Sequence, residues 1–376
     1  MDGIIMNSYL DFVRYCIDEQ QCVPTITDWN ALFLFMQQQA LVGVGFRGLE
    51  RMKAAGADIP RGVVLQWYAV SEQIRKRNVE MNQECARITR LFESEGHHTA
   101  ILKGQANARL YPDPWSRQSG DIDIWVDGGY ERVIAMLLRL KMVDSLDIDQ
   151  YAREGEAEKA YHHIHLPVNE QGIDVEVHFR PSSGNWNPNS NRRIQKFLSE
   201  EISQENELAE DGFRVPSSRF ALIMQLGHIQ KHFLDIGIGL RQIMDYYYLL
   251  KHRKDSGMCV EISEQLLRDV GLWNIARALM WLLHDLFGLD EQYMIAPMDE
   301  WRGRLLLEEI LRGGNFGRNS VQARQKPIGR FIIGRIRHIK LLRFDYSEVI
   351  GFELSYWKTQ MGKTWERIKR RSWSLR

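Results

Sequence analysis

The stretch "LKGQANARLYPDPWSRQSGDIDIWV", Leu102 to Val126, decides how the fold of this 376-residue chain is interpreted. Near its end, two aspartates, Asp121 and Asp123, lie one residue apart in an otherwise hydrophobic run. Side chains alternate between faces along a β-strand, so both carboxylates would lie on one side, about 6–7 Å apart along the chain. Like charges this close repel each other unless something positive lies between them. The spacing therefore predicts a strand whose acidic face needs a positive partner.

A second alternating stretch follows downstream, where apolar and polar residues alternate from residue 173 to residue 180. This pattern predicts a strand with one apolar and one polar face. The preceding run "YHHIHLPV" and the turn-forming residues 169–172 predict that it is the second strand of an antiparallel hairpin. If it joins the strand of Asp121 and Asp123 in one sheet, three or four carboxylates converge on one face. Such oxygen ligands suit Mg²⁺, and two ions can hold both oxygens of a displacement at phosphorus.

Hydrophobic periodicity divides the chain into three regions. Residues 1–95 have apolar residues at spacings of three and four, which predicts an N-terminal helical region. Residues 96–215 alternate short strand and helix patterns, and residues 216–376 return to helical spacing. We therefore predict the α+β class, with a small mixed sheet and its helices between two helical regions.

Composition excludes several classes of protein. Lys plus Arg equal Asp plus Glu at 49 each, so no global field steers the chain toward nucleic acid or a membrane. The four cysteines are scattered without C-x-x-C spacing, which indicates reduced thiols. No apolar run approaches the roughly 20 residues of a spanning helix, so we expect a cytoplasmic protein with no membrane partner. The C-terminal region concentrates basic and aromatic residues; this favours a solvated basic face, with nucleic acid or another anionic partner as the alternative.

The motifs "LKG", "ARLYPDP", "GDIDIWV" and "VEVH", in this order, resemble an uncharacterised bacterial nucleotidyltransferase family of the DNA polymerase β superfamily. The resemblance extends over much of the chain. It implies a polymerase-β-like core and the transfer of a nucleoside monophosphate from a triphosphate such as ATP to an acceptor hydroxyl, with release of pyrophosphate. It also implies two Mg²⁺ ions, with Mn²⁺ as an alternative. The acceptor, whether RNA, protein or small molecule, and the preferred base are not encoded in a readable pattern.

The resemblance assigns three acids to catalysis and metal binding. Asp121 and Asp123 would be the paired acids and Glu176 the third, which would also help to deprotonate the acceptor. Asp174 and His178 share the polar face with Glu176, so alternation alone leaves the third ligand open. Glu176 is favoured by the resemblance and because it lies further from the turn than Asp174. We expect Asp123 to be exposed, so that its substitution would disturb no core packing.

Four further residues are predicted to bind the nucleotide. Gly104 stands in the glycine turn that precedes the acids, and Gly120 directly precedes them. Many superfamily members have Gly-Gly or Gly-Ser where this chain has Lys103-Gly104. Lys103 is expected to contact phosphate as a point charge, and Arg117 is expected to help neutralise the triphosphate.

Several histidines raise the alternative of zinc chemistry. They are His162, His163 and His165 on one predicted strand, and His228 and His232 one helical turn apart. The stretch "HIQKH" lacks the glutamate of the H-E-x-x-H motif, which disfavours zinc hydrolysis. We expect His228 and His232 to pack where the helical region meets the core, together with Arg241 and Asp245 as an i, i+4 pair. The resemblance reaches these residues too and implies that they line the cleft.

A competing hypothesis comes from a different class of protein. The chain could keep the fold without the catalysis, as an antitoxin-like or nucleic-acid-binding protein that uses its basic C-terminus. The presence of all three acids favours an enzyme, specifically a nucleotidyltransferase.

Overall fold

The computed structural model describes residues 3–18, 21–144, 162–204, 206–255, 261–314 and 327–373. Its first helices are α1 (Gly3–Ile17), α2 (Trp29–Gln38), α3 (Val42–Ala54), α4 (Arg61–Ser94), α5 (Gln105–Ala108) and α6 (Gly129–Arg139). Then follow α7 (Pro188–Ile202), α8 (Ser218–Leu234), α9 (Leu240–Asp255), α10 (Glu264–Asp269), α11 (Trp273–Phe287), α12 (Glu300–Gly313), α13 (Pro327–Leu341) and α14 (Tyr346–Trp373). Short 3-10 turns span Pro114–Ser116 and Glu291–Tyr293.

A four-stranded mixed sheet lies between the helical parts of the chain. Its strands are β1 (Thr99–Ile101), β2 (Ile122–Val126), β3 (His163–His165) and β4 (Val175–His178), in the order β1-β2-β4-β3. β2 runs parallel to β4, while β1 and β3 are antiparallel to their neighbours. A separate two-stranded ladder pairs β5 (Glu207–Leu208) with β6 (Arg214–Val215). The predicted α+β class is confirmed.

The predicted hairpin between β3 and β4 is also confirmed, and its turn contains a glycine that the backbone requires. Gly172 has a φ of +70°, in the left-handed region that glycine adopts without steric cost. The Asn169 side chain accepts hydrogen bonds from the backbone N–H groups of Gln171 and Ile173, at 3.0 and 2.9 Å. These bonds close the turn, as expected for an asparagine in this position.

The two faces of the sheet separate as the alternation predicts. Ile122, Ile124, Val175 and Val177 are buried in a core that the sheet shares with α4 and α6. The intervening side chains of β2 and β4 therefore lie on the opposite face. Burying one face of a sheet under helices specifies the register strongly, because a shift of one residue would expose every apolar side chain.

Helix α4 packs against the apolar face of the sheet. Pro60 precedes it and Gly96 follows it with a φ of +83°, which matches the preference for proline at the start and glycine after the end of a helix. Within α4, the buried amide of Asn78 donates to the backbone carbonyls of Trp115 and Arg117, both at 2.8 Å. This amide holds the loop that leads into β2 and so helps to position the paired aspartates.

The N-terminal helices do not form a separate core. Their apolar side chains, such as Phe12, Leu32 and Trp67, belong to one buried cluster with side chains of α8, α9 and α11 such as Phe220, Ile243 and Leu279. The predicted break in the helical pattern lies between α8 and α9, at residues 235–239. No helix in the described part of the chain has the length and hydrophobicity that crossing a bilayer would require.

Candidate active site

The strand register brings the second and third predicted acids side by side. Asp123 on β2 is the direct partner of Glu176 on β4. Asp121 immediately precedes β2. Its negative charge is close enough to Glu176 to oppose the ionisation of that carboxyl group. Adjacent strands in a sheet are about 4.8 Å apart, so Asp123 and Glu176 are neighbours, with Asp121 near enough for its charge to act on Glu176.

A lysine neutralises part of this cluster. The Lys103 ammonium lies 3.1 Å from Asp123 Oδ1. Burial alone would lower the pKa of Lys103, but the charges of Asp123, Asp121 and Glu176 outweigh this effect and raise it. The ammonium therefore supplies the positive charge that the paired aspartates were expected to need.

The turn after Lys103 has a backbone geometry that favours glycine. Gly104 has φ +63° and ψ −108°, and a Cβ atom there would lie 3.4 Å from the Asp121 carbonyl oxygen. The positive φ disfavours any other residue. The predicted glycine turn is thus present, and it brings the start of α5 close to the residue that begins the acidic pair.

A histidine connects two of the acids. His178 Nε2 lies 3.1 Å from Asp123 Oδ1 and 3.4 Å from Glu176 Oε2. Burial opposes protonation of His178, but its hydrogen bonds to the two carboxylates outweigh burial and raise its pKa. Burial would likewise raise the pKa of Glu176, yet the His178 hydrogen bond and the charge of His163 lower it to about 2. Glu176 is therefore ionised at neutral pH.

Asp123 is not the exposed residue that the sequence predicted. Its relative exposure is 1%, and the Lys103 ammonium and the His178 ring both lie against its carboxylate. Burial would raise the pKa of Asp123, but the charge of Lys103 and the hydrogen bond to His178 lower it. The carboxylate remains charged in a buried position, which is costly unless it is paired.

One oxygen of Asp123 indicates that the cluster fits a metal ion. Asp123 Oδ2 is buried without a hydrogen-bond partner in the described part of the chain. Buried polar atoms are nearly always satisfied, so such an exception calls for an explanation such as a missing ion. The carboxylates of Asp121, Asp123 and Glu176 are the oxygen donors that Mg²⁺ and Mn²⁺ accept. The residues therefore fit a divalent cation.

Histidines lie on the other side of Glu176. The hairpin register pairs His165 with Glu176 and His163 with His178. His163 Nδ1 lies 3.7 Å from Glu176 Oε2, and His165 Nε2 lies 3.6 Å from Glu176 Oε1. Among the described residues, three groups have ligand atoms close enough to share an ion: Asp123, Glu176 and His178; His163, His165 and Glu176; and His162, His163 and His178. The hairpin register therefore places Glu176 among the histidines of β3, a neighbour that their spacing in the sequence did not indicate.

A pocket opens beside Lys103 and contains every residue predicted to bind the nucleotide. Lys103, Gly104, Arg117 and Gly120 all line it, as does Asp121. Asp123 is joined to it through the 3.1 Å contact with Lys103. The predicted nucleotide-binding residues and the acids are therefore neighbours in space, although their individual roles remain predictions.

Arg117 is held by a partner that the sequence did not reveal. It is buried, and its Nε and Nη2 atoms donate to the two carboxylate oxygens of Asp245, both at 2.7 Å. The Tyr111 hydroxyl donates to the same carboxylate at 2.7 Å. Two parallel bonds fix the guanidinium plane. Arg117 Nη1 is buried without a hydrogen-bond partner among the described residues, so this nitrogen is the part of Arg117 available to a phosphate.

Asp245 had been expected to pair with Arg241. Burial would raise the pKa of Asp245, but Arg117 and, to a smaller extent, Arg241 lower it, so Arg241 lies close to this carboxylate. The Arg241 Nη1 atom donates to the Gln118 carbonyl at 2.8 Å and lies 3.9 Å from the position of a Cβ on Gly120. Arg241 therefore lies against the loop that precedes the acids, and it is a further cation that lines the pocket.

The paired histidines of α8 lie at this pocket as well. His228 lines it, and its ring centroid is 4.2 Å from that of His232. Burial lowers the pKa of His232 to about 4, and burial with the neighbouring His232 lowers the pKa of His228 well below its usual value. Both rings are thus neutral at pH 7. The expected position, where the helical region meets the core, is confirmed.

A buried amide pair fixes the glycine turn against the C-terminal helices. Asn107 on α5 and Gln225 on α8 donate to each other's side-chain oxygens, at 2.9 and 2.8 Å. Sequence reasoning missed this pair because the two residues are 118 positions apart. It missed Asn78 for the same reason, although a buried asparagine facing a predicted loop is a recognisable pattern once the loop is known.

A mixed sheet, a glycine turn and acids carried by two adjacent parallel strands are together consistent with a nucleotidyltransferase core. The chain belongs to the family described as uncharacterised nucleotidyltransferase, whose profile matches residues 25–288. No curated protein and no solved structure gives a significant match. The resemblance drawn from the motifs is confirmed, and general nucleotidyl transfer follows from the family.

Proposed function

We propose that this protein is a Mg²⁺-dependent enzyme that transfers a nucleoside monophosphate from a nucleoside triphosphate to an acceptor hydroxyl and releases pyrophosphate. The observation that carries the proposal is the register pair of Asp123 and Glu176, with Asp121 beside them and an unpartnered oxygen on Asp123. In this proposal Asp121, Asp123 and Glu176 hold the metal ions. Bound there, divalent ions would neutralise the triphosphate and lower the pKa of the acceptor hydroxyl.

The other residues of the pocket have roles that follow from their charges. Lys103, Arg117 and Arg241 are the cations that would face the phosphates, and Gly104 lets the backbone approach them closely. Arg117 is immobilised by Asp245, so it presents a fixed charge, whereas Lys103 has a flexible stem. Glu176 is an ionised carboxylate, which suits a metal ligand; its pKa of about 2 makes it a weak base, so its help in deprotonating the acceptor hydroxyl would depend on a bound ion that lowers the pKa of that hydroxyl.

Lys103 has a second role in this proposal, as a cation that occupies the acidic cluster before substrate binds. Its ammonium lies against the carboxylate that would ligate the metal, at 3.1 Å. A metal ion must compete with this charge, since the two cations repel each other at such distances. The phosphates of the nucleotide would draw Lys103 away and bring metal with them. Metal and nucleotide are therefore expected to bind together.

Thermal unfolding tests this coupling. We expect Mg²⁺ with a nucleoside triphosphate to raise the Tm by a few degrees, and Mg²⁺ alone to leave it unchanged, because a ligand stabilises the folded state only when its concentration is comparable to or above its Kd. Triphosphate with a chelator is the matched control. An equal rise with metal alone would contradict the coupling and would indicate a preformed structural ion.

A substitution of Lys103 tests whether its ammonium group competes with the metal ion. Without the competing ammonium, the Lys103→Met variant should bind Mn²⁺ about tenfold more tightly than the parent in the absence of nucleotide. Titration calorimetry, or the loss of the free Mn²⁺ signal in electron paramagnetic resonance, measures this affinity. Arg109→Met is a control, since Arg109 pairs with the exposed Glu207. Weaker Mn²⁺ binding by the Lys103 variant would contradict the proposed competition.

The acceptor and the base can be sought directly. The protein would be incubated with each of the four triphosphates labelled at the α-phosphate, with Mg²⁺ or Mn²⁺ and a cell extract. A labelled macromolecule or small molecule that disappears in the Asp123→Asn variant supports the proposal. If no triphosphate labels any acceptor while the protein binds RNA tightly, the nucleic-acid-binding alternative is favoured instead.

A further inference from the structure

The C-terminal helices α13 and α14 display an apolar face to solvent. About half of the large hydrophobic side chains that are exposed in the described part of the chain lie between residues 327 and 373. They are Phe331, Ile332, Ile336, Ile339, Leu342, Tyr346, Ile350, Leu354, Trp357, Met361 and Trp365. Scattered exposed hydrophobic residues need no explanation, but a concentrated patch marks an interaction site.

Helical spacing places these side chains in two stripes. Ile332, Ile336 and Ile339 recur at intervals of four and three on α13, and Ile350, Leu354, Trp357, Met361 and Trp365 recur at intervals of four, three, four and four on α14. Such intervals keep side chains on one side of a helix. The two helices contact each other beside these stripes, where the ring centroids of Phe331 and Trp357 lie 5.9 Å apart. Both stripes are therefore parts of one exposed apolar region of the C-terminal helices.

The opposite side of the same helices is fixed to the rest of the protein. Glu348 is fully buried and accepts hydrogen bonds from the backbone N–H groups of Trp186 and Asn187, at 2.8 and 3.1 Å. On α13, His338 Nε2 lies 3.1 Å from the Leu234 carbonyl. These contacts determine which side of α13 and α14 faces outward.

The charged side chains of α13 and α14 are also distributed unevenly between buried and exposed positions. The sequence from residue 327 to residue 376 contains twelve Lys or Arg and four Asp or Glu, a net charge of +8 in a chain whose total is zero. Asp345 and Glu348 are buried, whereas Lys340, Arg343 and Lys358 are exposed. The outward charges beside the apolar face are therefore basic.

We propose that this face docks the protein on an anionic membrane surface. Exposed Ile, Leu, Met and Trp side chains next to Lys and Arg are the composition of helices that lie in the interface of a bilayer. Basic residues near anionic headgroups add about 1 kcal/mol each. Nucleic acid would attract the charges but would gain little from the aliphatic side chains, and a second copy would bring two segments of +8 together.

The docking surface lies outside the segment that the family profile matches, and a peripheral membrane partner departs from the expectation that there is none. The family profile ends at residue 288, before α13 begins. Neither helix has the apolar length to cross a bilayer, so the docking is peripheral. It would restrict the enzyme to acceptors at or near the membrane surface.

Flotation of the full-length protein with lipid vesicles tests the proposal. We expect binding to vesicles of phosphatidylcholine containing phosphatidylglycerol, and at least about tenfold weaker binding to pure phosphatidylcholine. The double variant Leu354→Ser, Met361→Ser should lose at least about tenfold in partitioning. Its side chains are 67% and 66% exposed, so the fold should not suffer. The matched control is Leu34→Ser, Leu65→Ser, which changes side chains 56% and 55% exposed elsewhere.

Three outcomes would overturn the proposal. One is no binding to anionic vesicles, or equal binding by parent and double variant. Another is a concentration-dependent dimer that forms without lipid and that the double variant abolishes, which would identify a second copy as the occupant. The third is a loss of RNA affinity in the double variant while vesicle binding is unchanged. Nucleotide transfer enters none of these measurements, so the proposed activity can fail independently.

Discussion

Replacement of Asp123 by asparagine should reduce nucleotidyl transfer by about three orders of magnitude or more. The amide has the shape of the carboxylate but not its charge, and the oxygen that is now unpartnered would no longer be an anionic ligand. Divalent ions contribute several kcal/mol to such displacements, and each 1.4 kcal/mol corresponds to roughly a tenfold change in rate. Release of labelled pyrophosphate, measured at saturating triphosphate, gives the rate.

This variant also needs a control for folding, because Asp123 is buried between Lys103 and His178. Removing one member of a buried ion pair commonly costs about 3–5 kcal/mol, since the other charge loses its partner. The double variant Lys103→Met, Asp123→Asn removes both charges and should recover part of the lost stability, as a double-mutant cycle would show. It should remain inactive. A folded Asp123→Asn protein with activity within a few-fold of the parent would refute the metal assignment.

Substitution of Glu176 by glutamine should lower transfer by about two orders of magnitude, whereas Asp174→Asn should change it by less than about threefold. Both acids lie on the polar face, but Glu176 is the direct partner of Asp123 and its side chain is 15% exposed. Asp174 lies before the first residue of β4, is 44% exposed and pairs with His165 at 3.2 Å. An exposed pair of this kind contributes little.

The comparison of these two amides has an internal control, since both substitutions remove one charge from the same face. A general electrostatic effect would weaken both variants similarly. Mn²⁺ affinity in the presence of triphosphate should fall with Glu176→Gln and stay constant with Asp174→Asn. If the Asp174 variant is inactive and the Glu176 variant is active, Glu176 is not the third ligand.

Alternation was the feature from which the strands of the sheet could be predicted, as helical spacing was for the flanking regions. Apolar residues at every second position in β2 and β4 indicated which face is buried, and the turn residues before Ile173 indicated the hairpin. These patterns are local, so a single sequence contains them. The parallel pairing of β2 with β4 was a hypothesis, because the two strands are about fifty residues apart and alternation does not specify neighbours.

The sequence indicated which residues lie near the site, but it did not indicate most of the contacts between them. Asp123 was expected to be exposed, because polar residues on strands usually face solvent, yet it is buried, with Lys103 and His178 against its carboxylate. Arg117 was assigned to phosphate, whereas its carboxylate partner lies 128 residues away on α9. Helical spacing suggested Arg241 as the partner of Asp245. Contacts of such sequence separation arise from tertiary packing, which a single sequence does not encode in any local pattern.

The central claim, transfer of the nucleoside monophosphate, is tested most directly by comparing two positions of label in the same triphosphate. The protein, Mg²⁺ and an acceptor fraction from a cell extract would be incubated with triphosphate labelled at either the α-phosphate or the γ-phosphate. We predict that the α-label enters the acceptor and the γ-label leaves as pyrophosphate, in equal amounts, and that Asp123→Asn abolishes both. Transfer of the γ-label to the acceptor, or α-labelling that survives in the Asp123→Asn variant, would contradict the account.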